Sequence, residues 1–162
     1  MGRGRFEVVK SPKQRGWIEP LALVLHFCNT DEDRNKWVVY DCVMNIAEGQ
    51  IVEQKSFKAN TYKMLLAGFQ WRSLEKGHSL KLIFKFYMEG NLVYTSVQDA
   101  VTNEPDSKDI FQQDFEVSSS MRLEGPNGVT SPFPAGRYEV ELYLKTEELD
   151  EHFVMRRTLD VR

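Results

Sequence analysis

Five apolar residues, Leu80, Leu82, Phe84, Phe86 and Met88, stand at every second position of one stretch, and Lys81, Lys85 and Tyr87 fill the gaps. Successive side chains of a strand point to opposite faces, so this spacing buries one face and leaves the other for water. No helix has that period. Ile83 is the one aliphatic residue on the polar side. The end of the chain repeats the pattern: Tyr138, Val140, Leu142 and Leu144 alternate with Arg137, Glu139, Glu141 and Tyr143. After the polar turn Thr146–Glu151, the spacing predicts a last strand with Phe153, Met155, Leu159 and Val161 inward and Arg157 as the odd member.

The rest of the chain reads the same way. Leu21–Cys28, Lys36–Ile46 and Gln50–Lys58 are expected strands, the last two joined by a tight turn at Ala47–Gln50. Leu92–Val97, Ile110–Val117 and Ser120–Glu124 are further strands, and Phe6–Val9 is a short edge strand. Gln98–Asp109 is polar, contains Pro105 and reads as a loop, and Gly125–Gly128 as a turn. Between Asn60 and Trp71, Tyr62, Leu65, Leu66 and Phe69 recur at helical spacing, so a single short helix or irregular crossover is expected there. Half-apolar strands at short spacing predict an all-β protein. The expected form is an antiparallel two-sheet β-sandwich of about 8–10 strands with at most one short helix. Residues 1–16 are expected to form a basic, partly flexible arm, and residues 17–162 one sandwich domain.

Composition narrows the partners. A net charge of -3 gives no overall attraction to nucleic acid. The longest apolar runs are too short to span a bilayer, and the N-terminus lacks the apolar core of a secretory signal, so a cytoplasmic protein is expected. Strand parity puts Cys42 on an apolar face and Cys28 on the opposite one, so two reduced thiols are expected rather than a disulfide.

The stretch Pro134-Ala-Gly-Arg-Tyr-Glu-Val-Glu-Leu-Tyr-Leu144 resembles the late strand of immunoglobulin-like and fibronectin III-like modules. In these a Pro/Gly turn leads into a Gly-x-Tyr-x-Val-x-Leu strand, and one more strand closes the domain. The resemblance covers about the last thirty residues, and it implies an immunoglobulin-like architecture without implying an activity.

Catalytic signatures are missing from the sequence: there is no nucleophile elbow, phosphate-binding loop, dinucleotide fingerprint or His-Glu-x-x-His. His26, His78 and His152 are far apart, and Cys28 and Cys42 lack zinc-site spacing, so neither cofactor nor metal is expected. Asp31, Glu32 and Asp33 form one acidic loop, and Glu104, Asp106 and Asp109 another. Interrupted by Arg34, Lys36 and Lys108, they read most simply as solvated connections, with calcium binding as the alternative. Trp37 lies on a face of mixed character, while Ile83, Tyr87 and Tyr143 stand on otherwise polar faces. An apolar stripe on a solvated sheet marks an interface. The expected function is therefore a non-catalytic binding or assembly module. It would contact a protein partner or a second copy through Trp37, Ile83, Tyr87 and Tyr143, with Asp31 and Asp33 lending specificity. A carbohydrate- or calcium-dependent module using the loop acids and Trp71 or Trp17 is the second expectation, and an enzyme built around the histidines the third.

Overall fold

The structure, a computed structural model, describes residues 11–28, 36–39, 42–45, 50–53, 57–103, 117–124 and 130–162. Among these, the chain forms one 3₁₀ turn, Lys13–Arg15, and twelve strands. These are β1 (Ile18–Cys28), β2 (Lys36–Val39), β3 (Cys42–Asn45), β4 (Gln50–Glu53), β5 (Met64–Ser73), β6 (Ser79–Met88), β7 (Asn91–Val101), β8 (Val117–Met121), β9 (Leu123–Glu124), β10 (Thr130–Ser131), β11 (Gly136–Lys145) and β12 (His152–Val161). They build a six-stranded sheet in the order β4-β3-β2-β1-β5-β8 and a four-stranded sheet in the order β12-β11-β6-β7, with β9 and β10 as a small pair. Every pairing between these strands is antiparallel. The protein is all-β, as the alternation requires.

One core draws on both large sheets. Leu23, Leu25 and Phe27 of β1 and Leu65, Ala67, Phe69 and Trp71 of β5 meet Leu80, Leu82, Phe84 and Phe86 of β6 and Tyr138, Val140, Leu142 and Leu144 of β11. Phe27 lies at an aromatic junction, its ring centroid 5.2 Å from Phe57, 5.5 Å from Tyr62, 5.9 Å from Phe133 and 6.4 Å from Tyr138. Backbone bonds tie this end together: Arg162 donates to Phe57, Ala59 to Arg162, Asn60 to Phe133 and Phe133 to Tyr62. The Tyr138 hydroxyl donates back to the Pro134 carbonyl at 2.6 Å, fixing the turn that launches β11.

Five expectations are corrected. Among the described residues twelve strands stand where about 8–10 were expected, because the Lys36–Ile46 stretch divides and β9 and β10 form a short pair of their own. The segment from Asn60 to Trp71 is no helix: from Met64 it is β5, paired with β1 and β8. Leu65, Phe69 and their neighbours fit both periods, but Ala67 and Trp71 complete a period-two face, and that face is what the core buries. Lys36–Ile46 is two strands, for β2 turns back on β3 with Val39 opposite Cys42. Asp41 alone interrupts its apolar run from Trp37 to Met44, and residues 40 and 41 lie outside the described residues. β7 runs to Val101, so the first part of the expected Gln98–Asp109 loop is strand. Phe153 faces outward, because β12 slips register between the pairs Leu142–Met155 and Tyr143–Phe153. That bulge lets Val154 and Met155 both pack on the core and reverses the parity expected for Phe153. The expected Phe6–Val9 strand and the Gly125–Gly128 turn fall outside the described residues, as do the side chains of Cys28 and Cys42.

Candidate functional site

The outer face of the four-stranded sheet is assembled by register. Val97 of β7, Ile83 of β6, Tyr143 of β11 and Phe153 of β12 stand opposite one another in a row across all four strands. The Tyr143 and Phe153 rings meet edge to face at 5.8 Å, and Ile83, flanked in the row by Val97 and Tyr143, is only 6% exposed. Its two ends remain open, with Val97 53% and Phe153 48% exposed. The next row places Thr95, Lys85, Glu141 and Arg156 side by side, and the row beyond it Leu92, Tyr87, Glu139 and Thr158.

Charges lace these rows together. Lys85 Nζ sits 4.2 Å above the Tyr143 ring and 3.1 Å from Glu151. Arg156 pairs with Glu139 at 3.2 Å and lies 5.7 Å from the Phe153 ring. Tyr143 donates its hydroxyl to Glu141 at 3.2 Å, and Tyr87 is hydrogen-bonded to the same carboxylate. Ionising either phenol would set two negative charges side by side. The Tyr87 hydroxyl is accordingly pushed up to about 12, first by its bond to Glu141. Tyr143 is raised as well, first by desolvation and then by the charge of Glu141.

Six large apolar side chains stand exposed among the described residues, and all are on the two edge strands of this sheet: Leu92, Val93, Tyr94, Val97 and Val101 on β7, and Phe153 on β12. The edges differ most in charge. β12 carries Arg156, Arg157 and Asp160, bulges at Val154, forms a parallel bridge from Val161 to Phe57, and sends Arg157 Nε to the Leu23 carbonyl. Charge, bulges and covering contacts are the devices that blunt an edge. β7 has one charged residue, Asp99, paired with Lys81 at 2.8 Å; it bulges at Val93, its register is unbroken from Tyr94 to Val101, and it comes close to β8. Among the described residues it pairs only with β6.

Ile83, Tyr87 and Tyr143, singled out by the sequence, thus share one face. Trp37 does not join them, because β2 belongs to the six-stranded sheet. Asp31 and Asp33 lie outside the described residues, as do Glu104, Asp106 and Asp109. Val97, Leu92 and Phe153 complete the surface. Val97 could have been found from its single alternation with Thr95 and Asp99, but Phe153 is invisible to a parity count that has no bulge in it.

A concavity of about 560 Å³ opens at one end of the same sheet, lined by Lys13, Trp17, His78, Thr146 and Glu147 among others. Trp17 stacks flat on His78, with centroids 3.6 Å apart and planes 3° from parallel. The local chain explains the placement. Gly16 takes a left-handed φ of 65°, where an added Cβ would run into Leu144, and Trp17 follows at φ 66°. The backbone then anchors Trp17 through its carbonyl, which accepts from Leu74 at 2.9 Å. Trp71, by contrast, is 2% exposed and donates its indole N–H to Ser73, so it is core and not a ligand platform. Nδ1 of His152 is 3.1 Å from the Asp150 carbonyl. Among the described residues no three His, Cys, Asp or Glu side chains gather as a metal site would require. No helix among them is long and apolar enough to cross a membrane.

No protein-family model matches the chain, and comparison with curated proteins gives no significant match.

Proposed function

We propose that this protein is a non-catalytic binding or assembly module on an immunoglobulin-like β-sandwich, and that the four-stranded sheet is its contact element. The sandwich reading is supported by the single core shared between the two sheets. It is also supported by the bond from Tyr138 to the Pro134 carbonyl, which resembles the tyrosine corner of that architecture. The observation that carries the functional reading is that, among the described residues, the exposed large apolar side chains are confined to β7 and Phe153. Apolar surface gathered on one sheet edge, beside a rim of ion-paired side chains, is the composition of a protein interface. Lys85, Glu141 and Arg156 give such a contact its charge pattern.

Site-specific photo-cross-linking tests this. A photoreactive residue at position 97, used in extract of the source cells, is expected to give protein adducts that excess unlabelled protein suppresses. The same probe at the exposed Lys58 is expected to give none. Equal labelling from both positions would remove the reading.

A second reading rests on the Trp17–His78 stack. An indole held at the mouth of a polar cleft suits a sugar ring, with Lys13, Thr146 and Glu147 as hydrogen-bonding neighbours. Titration of neutral mono- and disaccharides against tryptophan fluorescence, in the protein and in Trp17→Ala, decides it. A saturable change lost in the variant supports the site, and a flat response in both rejects it.

A further inference from the structure

Resting on that reading, we infer that the occupant of the β7 edge is a second copy of the chain, paired antiparallel to it about a two-fold axis at Val97. An edge strand turns alternate backbone N–H and C=O groups away from its sheet, and a second edge can take them up. The residues of β7 fit their own reverse. With Val97 on the axis, Val97 meets Val97 of the second copy, Tyr94 meets Ala100, Thr95 meets Asp99, and Ser96 meets Gln98, all within the stretch of β7 whose register is unbroken. Apolar positions face apolar ones and polar positions face polar ones, as a self-complementary interface requires.

Charge permits the same arrangement. Asp99 is the sole charged residue of β7, and it lies opposite Thr95 in this register, never opposite its own copy. It also carries an ion pair with Lys81. The β12 edge, with two arginines and an aspartate, offers no such match.

The pairing also completes the outer-face row. Phe153, Tyr143, Ile83 and Val97 continue through Val97 of the second copy into the same residues in reverse order. The exposed Val97 then leaves water against its own copy, and a four-stranded sheet becomes an eight-stranded one.

Mass by light scattering after size exclusion, over a rising concentration series, tests this with three variants. The unmodified chain is expected to pass from monomer to dimer. Val97→Lys puts two ammonium groups together on the axis and is expected to weaken the dimer by on the order of a hundredfold. Val97→Cys is expected to give a disulfide-linked dimer on oxidation, because residues facing across an antiparallel pair bring their Cβ atoms within bridging distance. Lys58→Glu should change nothing. Both position 97 variants alter an exposed edge residue, and circular dichroism confirms that each folds. A dimer that Val97→Lys leaves intact and Val97→Cys fails to link overturns the β7 pairing while leaving protein contact standing. A monomer at every concentration overturns the second copy as occupant, and the cross-linking at position 97 then judges the wider reading separately.

Discussion

The Phe153 ring meets the Tyr143 ring edge to face at 5.8 Å, and the bulge in β12 is what turns it there. Without the slip Phe153 would point into the core, and the row across the four-stranded sheet would end at Tyr143. An aromatic pair of this geometry contributes about 0.5–1.5 kcal/mol beyond its area. Phe153→Ser is expected to lower stability by about that much, read from the urea midpoint, and to leave the β-sheet circular dichroism unchanged. A loss of several kcal/mol would mean that Phe153 belongs to the core after all.

Tyr138 joins burial to a hydrogen bond. Removing its hydroxyl leaves the Pro134 carbonyl without that donor, so Tyr138→Phe is expected to cost about 1–3 kcal/mol. Burial, with the charge of Glu89 behind it, pushes the phenol up to about 12. In the unfolded chain the same group ionises near its ordinary value of about 10. The unfolded state therefore releases this proton first. The contribution is complete below about pH 10 and is lost as pH rises toward the folded value. Urea midpoints between pH 9 and 12 should fall less steeply in Tyr138→Phe than in the unmodified protein.

Glu141 holds two phenols protonated. In Glu141→Gln the largest cause of the Tyr87 shift loses its charge, and the Tyr87 titration is expected to move back down toward about 10. Tyr143 should follow by less, because desolvation is its first cause. Tyrosinate absorbance followed during an alkaline titration reads both. An unchanged titration would show that the carboxylate does not govern these hydroxyls.

Phe27 links four rings from separate parts of the chain, Phe57, Tyr62, Phe133 and Tyr138. Phe27→Ala is expected to cost about 3–5 kcal/mol, the range for an emptied aromatic site in a core. Chemical denaturation measures it. A cost under about 1 kcal/mol would mean that the junction collapses around the gap.

How far the sequence could be read depended on whether a residue's neighbours in the chain decide its place. β6, β11 and most of β12 were legible, because strict alternation admits one secondary structure and one buried face. β5 was not, since Leu65 and Phe69 satisfy helical and strand periods alike while Tyr62 and Leu66 fit the helical one, and pairing with β1 and β8 selects the strand. β2 and β3 merged into one expected strand because Asp41 alone, with no Gly or Pro beside it, interrupts the apolar run at the reversal. The site divided in the same way. Ile83, Tyr87 and Tyr143 could be found as misfits on polar faces. Trp37 was grouped with them only because a sequence does not say which sheet a strand joins. The exposed run Leu92-Val93-Tyr94 looks like an ordinary buried strand, and what exposes it is the position of β7 at a sheet edge.

The central claim, that the β7 edge is where this protein meets another chain, is tested most directly by amide hydrogen exchange. Exchange resolved along the chain would be followed over a concentration series. The amides from Tyr94 to Val101 are expected to gain protection as concentration rises, while those of the β4 edge keep a constant rate. Protection in β7 that does not change with concentration, together with new protection elsewhere, would contradict it.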